Sequence, residues 1–126
     1  MIVYNYTAHL SPPAPFVSVA LTCPATGVRI ANQPAQMDTG ADRTVLPANL
    51  VEALGLVEDG RLFFQGFTGS VAELPLFLVD VSVHDLPPVS IRAVLGEAEP
   101  HILLGRDVLN AHRILLDGPD LKLGIG

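Results

Sequence analysis

No apolar stretch of this chain runs far before a proline or a glycine stops it. Eleven of each are spread through 126 residues. Proline removes a backbone donor and fixes φ, while glycine opens backbone conformations that other residues avoid, so both break regular elements into short pieces. Between them lie runs rich in Val, Leu, Ile and Phe, several with the period-two alternation of half-buried strands. The pattern predicts an all-β architecture with many turns. The length is that of one domain, residues 1–126, able to bury a single core, and no internal repeat divides it.

The punctuation predicts the elements. Met1 to Thr7 alternates like a strand, and Ser11-Pro12-Pro13-Ala14-Pro15 is an extended connector, making 1–15 an N-terminal strand plus Pro-rich link. Phe16 to Thr22, the turn Pro24-Ala25-Thr26-Gly27 and a strand from Val28 to Ala31 read as a hairpin. Pro47 can open a short helix that runs to Gly55. Arg61 to Gln65 and Val71 to Val83 are extended runs joined at Gly66-Phe67-Thr68-Gly69, a hairpin tip with two glycines free to take positive φ. Val89 to Leu95 is a strand, Gly96 to Pro100 a loop, Ile102 to Gly105 a buried run, and Arg106 to Ala111 a short helix. Residues 113–126 read as a C-terminal hairpin turning at Asp117-Gly118-Pro119-Asp120.

Composition excludes several functions. The formal net charge is −6, and the seven Lys and Arg residues are scattered, so there is no basic stripe for nucleic acid or an anionic membrane. No apolar run approaches the ~20 residues that span a bilayer, and the N-terminus lacks a basic leader. Cys23 is the sole cysteine, which precludes an intrachain disulfide and fits a buried small side chain better than a nucleophile. His9, His84, His101 and His112 are dispersed rather than spaced as a metal site, and His84-Asp85 reads as a turn. No phosphate loop or Ser/His/Asp arrangement is present. The expectation is a soluble, cytoplasmic protein with no metal and no cofactor.

One segment carries chemistry. Asp38-Thr39-Gly40 follows a strand and leads into Ala41-Asp42-Arg43-Thr44-Val45-Leu46-Pro47. Three turn-forming residues alone would mean little, but this run resembles the active-site segment of retropepsins, the retroviral aspartic proteases and their cellular and bacterial relatives. A second signature of that family is two bulky apolar residues, then Gly and a short helix. Leu103-Leu104-Gly105-Arg106-Asp107-Val108-Leu109 has that form. A third is a glycine-bearing flap between the two, here centred on Gly66 to Gly69. Order and separation match, and the resemblance covers about Phe16 to Ile125. It implies a closed, barrel-like single lobe with a flap hairpin and one or two short helices, active as a homodimer.

The chemistry behind that implication is general. Hydrolysing a peptide without a metal or covalent nucleophile needs an activated water. Two carboxylates ~3 Å apart can share one proton, the ionised member acting as base and the protonated one as acid. This chain has one Asp-Thr-Gly, so a two-fold axis must bring Asp38 against its own copy. The resemblance implies an aspartic endopeptidase acting on polypeptide, with Asp38, Thr39 and Gly40 catalytic. Thr39 would brace the two loops across the axis, the alternative being a hydroxyl that bonds its own turn. Ala41, Asp42, Val45, Gly66, Phe67, Thr68 and Leu103 would meet substrate, with Leu46 and Leu95 as further wall candidates. Leu104, Gly105 and Arg106 would support the site, Arg106 by pairing with Asp42. Ala41 offers no hydroxyl to the carboxylate, so an activity optimum nearer neutral than in pepsin-like enzymes is expected. Arg43 would favour an acidic substrate side chain.

Two departures stand out. The segment before Phe16 is longer than in compact retroviral enzymes, and the C-terminus is a hairpin where they have a single strand. The dimer interface, which the chain ends of that family weave, is therefore open, with 113–126 a candidate for it. The rival function is a catalytically silent binding or assembly module, monomeric or dimeric, on the same fold.

Overall fold

The computed structural model describes residues 1–66 and 68–126. Ten strands and two short helices follow in the order β1 (Ile2–Asn5), β2 (Phe16–Thr22), β3 (Arg29–Met37), β4 (Val45–Pro47), α1 (Ala48–Leu54), β5 (Glu58–Gln65), β6 (Val71–Val83), β7 (Val89–Gly96), β8 (Ile102–Leu104), α2 (Arg106–Leu109), β9 (Ile114–Asp117) and β10 (Lys122–Ile125). The main sheet runs β2-β3-β8-β4-β7-β6-β5, and β2 also pairs with β6, from Val19↔Val83 to Thr22↔Asp80. That extra pairing closes six strands into a barrel and leaves β5 attached to β6 outside it. Closure removes the exposed edges that a flat sheet of this size would present.

Period-two alternation decides which side chains fill the barrel. Val17, Val19 and Leu21 of β2, Val79, Val81 and Val83 of β6, and Ile102 and Leu104 of β8 are buried inside it. Leu50, Val51 and Leu54 of α1 and Val108 and Leu109 of α2 pack on the same cluster. Each such side chain contributes about 1.5–3 kcal/mol on burial. Gly55 ends α1 in the left-handed conformation (φ +60°), where its N–H bonds the Glu52 carbonyl.

Two parallel pairings position the site. Met37 pairs with Leu104 at the end of β3 and β8, and Val45 with Val94 at the start of β4. The segments that begin at Asp38 and Gly105, far apart in sequence, therefore leave the barrel side by side.

Several boundaries differ from the sequence reading; the first strand ends at Asn5, not Thr7. The strand read as ending at Ala31 continues to Met37. A register shift between Val19 and Leu21 and a positive φ at Asn32 (57°) absorb an irregularity, after which pairing resumes with Gln33 opposite Val19. The β5 strand starts at Glu58, three residues early, across a second irregularity at Gly60 (φ +93°). The second helix ends at Leu109, not Ala111. The C-terminal hairpin forms as expected, and β1 joins it in a three-stranded sheet ordered β1-β10-β9. Its inner residues Leu123 and Ile125 lie in the core.

His112, just beyond α2, is half-buried, and its buried Nε2 has no hydrogen-bond partner among the described residues. Burial pushes its pKa below the ordinary imidazole value of about 6.5. The unfolded chain thus takes up a proton near pH 6.5 that the folded chain refuses. This contribution to stability is complete above that pH and is lost as pH falls toward the folded value. His112→Gln should therefore show a smaller drop in urea midpoint between pH 7.5 and 5.5 than the parent; an equal drop would show that the group does not matter there.

Candidate active site

Asp38 continues the β3 ladder by one bond, its N–H donating to the Leu104 carbonyl at 2.9 Å. The chain then turns, with Ala41 N–H donating to the Asp38 carbonyl (3.1 Å) and Gly40 N–H to Asp38 Oδ1 (3.1 Å). A Cβ on Gly40 would stand 3.3 Å from that carboxylate oxygen, so a bulkier residue would crowd it. Asp38 is half-buried, and Thr39 and Gly40 are exposed. No Lys, Arg or His among the described residues forms an ion pair with Asp38.

The cation nearest in function is committed elsewhere. Arg106 Nη1 donates to the Thr39 carbonyl at 2.8 Å, its Nη2 bonds Asp42 Oδ1, and its own N–H donates to the Ala41 carbonyl at 2.9 Å. One arginine thus ties the loop at three points and neutralises Asp42, leaving Asp38 as the unpaired carboxylate of the pair. The Thr39 hydroxyl has no hydrogen bond among the described residues, so it does not close its own turn.

Beneath the loop lies a tighter knot. Thr44 is fully buried, and its hydroxyl accepts from Gly105 N–H (3.1 Å) and donates to Asp107 Oδ1 (2.7 Å). The Asp107 carboxylate also accepts from Thr44 N–H (2.9 Å to Oδ2) and Val108 N–H (2.9 Å to Oδ1). Gly105 is packed against backbone: a Cβ there would stand 2.5 Å from the Arg43 carbonyl carbon and 2.7 Å from its oxygen. Asp107 carries no assigned role in the sequence reading, and Thr44, expected with Val45 and Leu46 as strand and pocket wall, is buried instead. The available signal is a small hydroxyl residue at the head of an apolar run, six residues after Asp38. Asp107→Ala would leave two Thr44 donors without acceptors in a dry site. A loss of about 2–4 kcal/mol is expected, read from urea unfolding, at 1–3 kcal/mol per stranded buried group. A loss below about 1 kcal/mol would mean water replaces the carboxylate.

On one side of Asp38 a cleft of about 470 Å³ is walled by Ala41, Asp42, Arg43 and Val45 of the loop and β4. Its other walls are Phe64, Gln65 and Leu74 of the β5–β6 hairpin and Val94, Leu95, Gly96 and Glu99. A Cβ on Gly96 would fall 2.6 Å from both Glu99 Cγ and Val45 Cγ1, so a side chain there would require both to shift. Phe64 and Leu74 escaped the sequence reading because alternation separates two faces of a hairpin without saying which one looks down.

The structure brings Asp38 to Asp42, Val45, Gly105 and Arg106 together. Leu95 lines the cleft, but Leu46 is fully buried: alternation along β4 points Val45 out and Leu46 into the core. Leu104 is likewise core, while Leu103 is half-buried on the outward face. Gly66 and Thr68 are exposed at the hairpin tip and do not line the cleft. There Gly66 N–H donates to the Ser70 carbonyl (3.0 Å), and of the two tip glycines only Gly69 has positive φ (+79°). Phe67 lies outside the described residues. Among the described residues no cluster of three His, Cys, Asp or Glu could hold a metal, and no helix is long and apolar enough to cross a membrane.

A closed six-stranded barrel with Asp-Thr-Gly held against a Gly-Arg helix start is the fold of the retropepsin-like aspartic proteases. Three solved structures share it: a retropepsin-like aspartic protease from Rickettsia conorii (15% identity, TM-score 0.65, covering 98% of this chain and 89% of that one), the EIAV protease complexed with the inhibitor HBY-793 (20%, 0.58, 86% and 93%), and the retroviral protease-like domain of Ddi1 from Leishmania major (18%, 0.53, 87% and 87%). At these identities they show the fold. No curated protein matches the chain by sequence. The family model described as "gag-polyprotein putative aspartyl protease" matches residues 26–111, and the chain belongs to that family.

Proposed function

We propose that the protein is an aspartic endopeptidase that works as a homodimer, with Asp38 of each subunit forming the catalytic pair. The observation that carries this reading is the state of Asp38. A loop fixed by an arginine, a buried threonine and a close-packed glycine presents a carboxylate that no cation among the described residues neutralises. A scaffold has no use for such a group beside an apolar cleft, whereas a shared-proton pair requires one.

In the reaction, ionised Asp38 takes a proton from water as the water oxygen attacks the peptide carbonyl carbon. The protonated Asp38 of the partner subunit donates to the carbonyl oxygen. The tetrahedral diol then collapses, the C–N bond breaks, and the amine leaves with a proton returned by the pair. The unspent Thr39 hydroxyl would brace the two loops across the axis. The apolar lining from Val45, Phe64, Leu74 and Leu95 suits apolar side chains of an extended polypeptide, and the hairpin above them would close over it.

The test is cleavage of a diverse peptide library from pH 4 to 8, read by mass spectrometry with a pepstatin-type inhibitor in parallel, alongside sedimentation. Inhibitable cleavage by a dimer is expected, with its maximum nearer neutral than in pepsin-like enzymes. A stable dimer that cleaves nothing at any pH would move the assignment to a binding module.

A further inference from the structure

A second hollow lies beyond Gln36, where β3 runs back from Asp38 to Pro34, and its chemistry differs from the first. It measures about 360 Å³ and is lined chiefly by His9, Leu10, Phe16, Pro34, Pro100 and His101. Its link to the carboxylate is Gln36. Along β3 the burial alternates, with Ala35 and Met37 inside and Gln36 half-exposed, and Asp38 continues the alternation outward. Gln36 and Asp38 therefore share a face, two residues or about 6.6 Å apart along the strand. The register places Phe16 of β2 and Leu103 of β8 beside Gln36 on that face. Gln36 Oε1 accepts from His101 Nε2 at 3.0 Å, and the His101 ring meets Phe16 edge-on with centroids 4.8 Å apart. A braced amide–imidazole pair thus stands between the carboxylate and the hollow, with the His101 ring among the hollow's apolar walls.

We infer that Gln36 and His101 form a specificity-determining pair: the second hollow takes the substrate side chain flanking the scissile bond and selects one with an apolar stem and an uncharged hydrogen-bonding tip, glutamine or tyrosine, over leucine. This rests on the peptidase reading. An extended substrate advances ~3.3 Å per residue and alternates its side chains, so the residue next to the cut projects within reach of a group about 6.6 Å from Asp38. The Gln36–His101 bond uses one acceptor and one donor. Among the described residues the amide N–H groups of Gln36 have no other partner. An apolar side chain covering them would strip their water and give nothing back, whereas an amide or phenol tip replaces it. Phe16, Leu10 and the two prolines suit the stem.

The test uses two peptides identical but for glutamine or leucine at the position before the cut, and two non-hydrolysable reduced-amide counterparts. The readouts are kcat/KM for the first pair and Kd by calorimetry for the second. Both should favour glutamine by about tenfold in the parent, and Gln36→Met, of similar volume, should abolish or reverse the ratio. Equal use of both peptides by the parent, or an unchanged ratio in Gln36→Met, overturns the subsite. Selective binding of the reduced amides with no cleavage would uphold the subsite and remove the peptidase reading; cleavage without selectivity would do the opposite. Neither binding nor cleavage would overturn both.

Discussion

Asp38→Asn should abolish peptide cleavage while leaving the protein folded. The substitution keeps the shape and the Oδ1 that Gly40 N–H donates to, so the loop keeps its internal bond. On the proposed mechanism it removes the group that takes a proton from water, and in a homodimer it removes that group from both subunits at once. General acid and general base steps each contribute roughly 10²–10⁴ in rate. A fall of at least about 10⁴ in kcat is therefore expected, with the melting temperature moving by about 2 °C or less. Cleavage assays and calorimetry on the same preparation decide it. Residual cleavage above a few per cent of the parent rate would mean that the activity belongs to another group or to a contaminant. Loss of folding would mean instead that Asp38 is structural.

Gly105→Ala carries the largest expected cost in stability. A methyl group there would sit 2.5–2.9 Å from three backbone atoms, the carbonyl carbon and oxygen of Arg43 and the nitrogen of Thr44. Backbone cannot swing aside as a side-chain end can. Relief requires separating the loop from α2, which also breaks the Gly105–Thr44 hydrogen bond and disturbs the Asp107 acceptors. Overpacking at such a site costs about 3 kcal/mol or more, equivalent to roughly 10 °C in melting temperature for a chain of this size. Gly118→Ala is the control, because nothing stands within 4 Å of its Cβ position and its effect should stay within about 0.5 kcal/mol. Equal effects at the two sites would show that the loop and α2 are not in close contact. A selective effect, with activity lost in step, would show that the helix start holds the loop in place.

Much of this arrangement is legible in the chain. Alternation and turn residues place most strands and both helices to within a few residues, because burial on one face of a sheet imposes period two wherever it occurs. Phe16–Thr22 and Val71–Val83 match their expected bounds. The stretch from Asn32 to Pro34 does not, since a left-handed residue and a proline read locally as a turn while the neighbouring β2 holds them in a strand. The Asp42–Arg106 pair is legible through family resemblance. Asp107 is not, because an aspartate at a helix start is common and only the fold shows it facing a buried threonine.

The order of residues by itself determined the fold class, the single Asp-Thr-Gly on which the proposed pairing of two copies rests, and the two segments that form the candidate site. These follow from local periodicity and from chemistry that one carboxylate cannot do alone. Only the tertiary structure decided which side of each strand looks outward, that Leu46 is core while Val45 is wall, and that Phe64 and Leu74 of the hairpin share a cleft with the loop. It also brought His101 onto Gln36, 65 positions away in sequence. The physical reason is that facing and partner choice depend on the register between strands distant in the chain, and register is set when the barrel closes and all its apolar faces are buried together.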